Sequence, residues 1–188
     1  MTVAALYVEH GGVYYGLDGV EPWGLPERDA MEYEGPWPVV AHPPCTRWSK
    51  LAHIHQAAGR FTVGDDGGCF RHALEAVRTY GGVLEHPEGT AAWAAFTLPR
   101  PALGLWQRSI CGGWVATVDQ LAYGHRAQKR TWLYAFGCSS LPVIQLPSAE
   151  AEMTVEFMGR DERRRTPPPF RDFLVDVASR CAAVDAVG

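Results

Sequence analysis

Short apolar runs alternate with polar turn segments along the chain. Val3-Ala4-Ala5-Leu6-Tyr7-Val8 is followed closely by Gly11-Gly12. Pro38-Val39-Val40-Ala41 leads into His42-Pro43-Pro44, and Gly82-Val83-Leu84 leads into Glu85-His86-Pro87. Trp114–Val118 and Thr131–Ala135 are rich in β-branched and aromatic residues. Runs this short and apolar, each closed by turn chemistry, read as buried strands of a parallel sheet. Two segments carry a helical period instead. Gly68–Tyr80 sets Phe70, Ala73, Leu74 and Val77 on one face, and Phe170–Ala183 does the same with Phe170, Phe173, Leu174, Val177 and Cys181. Pro167-Pro168-Pro169 suits the first turn of the second helix. Asp65-Asp66-Gly67-Gly68 reads as a turn into the first.

Strands alternating with helices predict one α/β domain over residues 1–188, with a mostly parallel sheet and helices packed on it. In such a sheet functional residues belong at the carboxyl ends of the strands. Three chemically loaded segments fall there: Glu9-His10-Gly11-Gly12, His42-Pro43-Pro44-Cys45 and Glu85-His86-Pro87.

Composition adds exclusions. The chain has 188 residues, 47% hydrophobic and 20% charged, as an ordinary globular domain does. No apolar run approaches the roughly 18 residues that a membrane span needs. The first residues lack a basic, apolar leader, so a cytoplasmic setting is expected. Five cysteines, an odd number without a CxxC pair, argue against a disulfide framework and a four-cysteine zinc site. His53, His55, Cys69 and His72 show tolerable spacings for zinc, but no pattern joins the four, so no metal is expected. The net charge of -4 is not that of a protein gripping duplex DNA unaided. Basic residues nevertheless cluster at Arg126, Lys129 and Arg130, and again at Arg160 and Arg163 to Arg165. Trp93, Trp106 and Trp114 could stack on a base, although core packing is their ordinary use.

Cys45 is the residue with the most chemistry in its surroundings. Two prolines fix the backbone immediately before it, so the chain leaves the strand rigidly and holds the cysteine in place. A thiolate there would be a strong nucleophile.

The run Pro43-Pro44-Cys45-Thr46-Arg47-Trp48-Ser49 resembles the catalytic motif of the C5-cytosine methyltransferases, commonly PPCQxFS. Further matches follow in the family's order. Leu6–Asp18 looks like its opening motif, LFxGxGGxxxGLE. Gly82–Glu88 looks like the segment carrying its Glu-Asn pair. Val118–Tyr134 looks like its NAxxYGxPQxRxR motif. The likeness extends in patches from Val3 to Ala135, and the chain is also similar to short methyltransferase-like proteins of bacteriophages.

This resemblance implies a three-layer, Rossmann-like methyltransferase domain acting on carbon 5 of cytosine in DNA or in a nucleotide. It implies that Cys45 adds to carbon 6, that Glu85 contacts ring nitrogen 3 with a raised pKa, and that Arg130 sits near the ring's carbonyl oxygen or a phosphate. Tyr7, Glu9, Gly11, Gly12 and Pro43 would hold S-adenosyl-L-methionine. Pro44, Ser49, His86 and Gln128 would contact the substrate. The chain departs from the family at Glu9, where a glycine stands, at His86 for asparagine and at Trp132 for arginine. One extra residue precedes Gln128. Residues 136–153 leave no room for a target-recognition region, so a partner protein could supply DNA recognition. The alternatives are a pyrimidine-modifying enzyme with another donor or a free nucleotide as substrate, and a non-catalytic module that binds a base or a partner.

Overall fold

The computed structural model of the chain describes residues 1–182. The strands are β1 (Val3–Leu6), β2 (Val20–Trp23), β3 (Val39–Ala41), β4 (Gly82–Pro87), β5 (Gln107–Arg108), β6 (Trp114–Asp119) and β7 (Arg130–Phe136). The helices are α1 (Ala52–Ala57), α2 (Cys69–Tyr80), α3 (Ala91–Ala95), α4 (Arg160–Arg164) and α5 (Pro168–Ser179). The strands form one seven-stranded sheet in the order β2-β1-β3-β4-β7-β6-β5.

The sheet is mixed. β2, β1, β3 and β4 pair in parallel, whereas β7, β6 and β5 continue it antiparallel. The expectation of a mostly parallel sheet therefore holds for one half only. Only residues 120–129 link β6 to β7, and a link that short returns the chain beside its own strand, whereas a parallel crossover needs a longer path. A buried antiparallel strand and a buried parallel one read alike in sequence, which is why β6 and β7 resembled the others. β2 escapes the apolar pattern because it is a half-buried edge strand, where Pro22 is tolerated.

Alternation along the strands splits the core in two. Ala4, Leu6, Val39, Ala41, Leu84, Trp132 and Tyr134 pack with α2 on one face. Val3, Ala5, Val40, Val83, Leu133 and Ala135 pack with α5 on the other. Phe70, Ala73, Leu74 and Val77 of α2 are buried as their spacing predicts, and each large one contributes up to about 1.5–3 kcal/mol on burial. The second helix is shorter than the pattern suggested. It ends at Ser179, and Ala183 lies outside the described residues. Cys181 falls beyond it and is disulfide-bonded to Cys138, which corrects the expectation that each cysteine stands alone. Gly82 opens β4 with φ +128, and a Cβ there would stand 2.0 Å from the Val39 carbonyl oxygen, so only glycine lets the two strands close at this point.

Candidate active site

The order of the parallel half runs outward in both directions from β1 and β3, so the crevice at their carboxyl ends is the switch point where α/β sheets bind ligands. Four segments meet there: the turns after β1, the Pro43-Pro44-Cys45 turn after β3, the end of β4, and the loop entering β7.

Glu85 is inside β4 rather than beyond it, opposite Leu133 of β7. The two-residue period puts its side chain on the α5 face with Val83. His42 leaves β3 on the same face and reaches it, with Nδ1 3.0 Å from Glu85 Oε2 and side chains only 14% and 13% exposed. The other ring nitrogen of His42 lies 2.8 Å from the Tyr14 hydroxyl. Burial pushes the Glu85 carboxyl up, but the hydrogen bond from His42, helped by the Lys129 charge, outweighs it and leaves it below its ordinary value. A raised Glu85 pKa was expected, and the structure corrects it: the free protein holds a carboxylate here.

Cys45 is half-buried four residues past the end of β3, the strand adjacent to β4. Burial and the Glu85 charge push its thiol up, while Lys129 and Arg164 pull it down. Lys129 is itself lowered by burial and held charged by Glu85 and Cys45. Its Nζ donates to the Arg165 carbonyl at 3.2 Å. Cys45, Glu85 and Lys129 thus form one electrostatic group, with α4 contributing Arg164 above it.

The turn that carries Cys45 is braced from below. Trp48 donates its indole N–H to Asp66 Oδ2 at 2.7 Å, and the same carboxylate accepts from the backbone of Gly68 (3.0 Å) and Phe70 (2.9 Å) at the start of α2. The Arg47 guanidinium lies 4.2 Å from the centre of the Phe61 ring. Ser49 closes the turn weakly on the Thr46 carbonyl at 3.5 Å.

Other expected site residues lie elsewhere. His86 is fully buried on the opposite face, 2.7 Å from Thr90 Oγ1 and edge-on to Phe70. Its Nε2 faces the Pro44 carbonyl without reaching hydrogen-bond geometry. It supports the turn and does not face a substrate, because alternation sends residue 86 away from residue 85. Arg130 is exposed and stands opposite Asp119 in the register of β6 and β7, on the face of Trp132 rather than that of Glu85. Lys129, one residue earlier, supplies the cation instead. Gln128 is exposed and lines a shallow depression of about 560 Å³ with Leu121, Pro147 and Met153, and Cys45 is not among its lining residues. Pro43 is buried and Pro44 exposed at the mouth of the turn.

The residues assigned to S-adenosylmethionine do not fit that cofactor. No α-helix follows β1; residues 10–16 form successive turns, so the glycine loop is not backed by the helix N-terminus that draws an anion. Glu9 is exposed, and a Cβ on Gly12 would come within 2.8 Å of the Glu9 carbonyl, so the loop folds back on itself. The side chains nearest in sequence that could pair with Glu9 face elsewhere: His10 lies 3.4 Å from Glu27, and Arg47 stacks on Phe61 with its Nη1 buried and without a partner among the described residues. Tyr7 turns to the α2 face, where its hydroxyl lies 2.8 Å from His72 Nδ1. A carboxylate-bearing ligand would meet a like charge at Glu9.

Sequence reasoning missed Tyr14, His42 and Lys129. His42 carried a signal, being the residue directly before Pro43-Pro44-Cys45. Lys129 needed the register of β7 against β4, which no local pattern reveals. No helix among the described residues is long and apolar enough to cross a membrane. No family model matches the chain, and no curated protein matches it.

Proposed function

We propose that the protein activates the pyrimidine ring of cytosine, in DNA or in a nucleotide, by reversible addition of Cys45 to carbon 6, as its resemblance to the C5-cytosine methyltransferases implies. The observation that carries this reading is the placement of Cys45 in the turn after β3 and of Glu85 in the neighbouring parallel strand β4 at the switch point, with Lys129 acting on both. The steps balance without an added oxidant or reductant. The Cys45 thiol gives up its proton as sulfur bonds to carbon 6, and ring nitrogen 3 takes one up, with the Glu85 carboxylate between as carrier. The carbon 5–carbon 6 π pair becomes an enamine, and carbon 5 can attack an electrophile. Glu85 then accepts a hydrogen bond from an N–H that exists only in the adduct, so it binds the activated ring better than the resting one. Lys129 offsets the negative charge that develops on sulfur as its proton leaves.

An enamine at carbon 5 also picks up a solvent proton and returns the original one, so no donor is needed to detect it. In deuterated water, wild-type protein is expected to place deuterium at carbon 5 of cytosine, read by mass spectrometry on a free nucleotide, a single strand and a duplex. Cys45→Ser is expected to abolish the exchange while remaining folded. Absence of exchange in all three substrates overturns the reading.

A further inference from the structure

Two side chains outside the expected site lead to Glu85. Tyr14, in the turns after β1, is buried, and its hydroxyl bonds to one side chain among the described residues, His42, at 2.8 Å from Nε2. His42 Nδ1 is 3.0 Å from Glu85 Oε2. The turns after β1, the residue directly after β3 and the adjacent strand β4 thus each send one side chain into a single chain of hydrogen bonds.

Proton counting fixes the direction of that chain. Burial and the Glu85 charge hold the Tyr14 phenol well above its ordinary range, so it keeps its proton. The Glu85 carboxylate only accepts, so it selects the Nδ1–H tautomer of His42, in which Nε2 is left to accept from the Tyr14 hydroxyl. Nε2 then accepts, Nδ1 carries the ring proton, and Nδ1–H donates to Glu85 Oε2. One carboxylate oxygen is filled and the other is left for the site.

We infer that Tyr14 and His42 are positioning residues that hold Glu85 in one orientation with a single free oxygen, presented as an acceptor to an N–H on the polar edge of the ring. The identity of the ring rests on the function proposed above; the relay does not. Oε1 then faces a ring N–H while His42 shields Oε2 from solvent and from a second donor. The groups around the relay are few. Lys129 and Cys45 face Glu85 from the β7 and β3 sides, His86 adjoins it in β4, and Arg171 and Asp172 of α5 face Tyr14.

The test uses the free, full-length protein, so it does not depend on turnover. In nitrogen-15 spectra, His42 is expected to carry its proton on Nδ1 and to accept at Nε2. Tyr14→Phe removes the donor to Nε2, so the Nε2 signal should move to that of an imidazole nitrogen without a phenol hydrogen bond, while Glu85 keeps the proton on Nδ1. The carbon-13 signal of the Glu85 carboxyl should titrate below the ordinary glutamate range in wild type and move upward in His42→Gln. In the deuterium assay Tyr14→Phe should lower the turnover number about tenfold with KM little changed, as for loss of an oriented group rather than of binding. An unchanged His42 Nε2 signal in Tyr14→Phe, or an unchanged Glu85 titration in His42→Gln, overturns the relay. Wild-type protein without exchange overturns the function instead, and the spectra still decide the relay.

Discussion

The indole of Trp48 and the carboxylate of Asp66 are joined at 2.7 Å, three residues after Cys45 and at the entrance to α2. One carboxylate therefore ties the Cys45 turn to the helix that packs beneath it. Asp66 accepts from three donors, two of them backbone N–H groups that α2 leaves unsatisfied.

Asp66→Ala should consequently cost about 2–3 kcal/mol, since a charged acceptor and an N-terminal cap are lost together. Trp48→Phe keeps the ring against Phe70 and Phe96 and removes only the N–H, so about 1–2 kcal/mol is expected. Urea denaturation of both variants provides the comparison. A Trp48→Phe variant as damaged as Asp66→Ala would show that ring packing, not the shared carboxylate, holds the turn.

His86 gives the protein an acid-sensitive window. Burial pushes its pKa from 6.5 down to about 4, against the opposing Glu85 charge. The unfolded chain takes up a proton that the folded one refuses, so stability is full above the unfolded value and falls as pH drops from 6.5 toward 4. At 1.36 kcal/mol per unit the loss by pH 4 is roughly 3 kcal/mol. Glu85 acts lower down: its depressed folded pKa contributes stability that disappears only as pH falls below the ordinary carboxylate range. His86→Gln should flatten the upper part of the stability profile between pH 7 and pH 4 while leaving the lower part. An unaltered slope in that variant would mean another group, such as the buried His125, dominates.

Much of this fold is legible in the sequence where burial and periodicity coincide. Phe70, Leu74 and Val77 announce α2 because one face of it is wholly apolar, and β1 and β3 stand out because they are buried on both faces. Strand direction is not legible, since Trp132 and Leu133 carry the same residue types in either orientation. The site is legible only around Cys45, where two prolines make a local signature. Glu85 and His86 look equivalent in sequence, yet the period of two sends one to the crevice and the other into the core beside Phe70. Arg130 looked like the site's cation for the same reason that Lys129 did not: an offset of one residue is invisible until β7 is registered against β4.

The Cys138–Cys181 disulfide joins the end of β7 to the chain beyond α5 and spans 43 residues. Closing a loop of that length removes enough unfolded-chain entropy to stabilise by about 4 kcal/mol. Both cysteines lie far from Cys45 in the fold, on the opposite end of the sheet. Cys138→Ala/Cys181→Ala should therefore lower the unfolding free energy by up to that amount and leave carbon 5 exchange at saturating substrate intact. Exchange lost in a variant that remains folded would show that the cross-link reaches the site.

The charge group around Cys45 can be read from the thiol itself. Its pKa is raised by burial and by Glu85, and lowered by Lys129 and Arg164. Alkylation proceeds through the thiolate, so its rate at a fixed, mildly alkaline pH follows the thiolate fraction. Glu85→Gln removes the repelling charge and should speed iodoacetamide modification of Cys45 by about two- to fivefold. Lys129→Met keeps the apolar stem and removes the attracting charge, so modification should slow by a similar factor. Arg130→Met is the internal control: its side chain is exposed on the other face of the sheet and should leave the rate unchanged. Cys69 and Cys111 are also free thiols, so the rate must be followed on the Cys45 peptide by mass spectrometry. Opposite signs for Glu85→Gln and Lys129→Met, with Arg130→Met neutral, are the expected pattern. A slower rate in Arg130→Met and none in Lys129→Met would return the cation's role to Arg130 and place β7 one residue out of the register described.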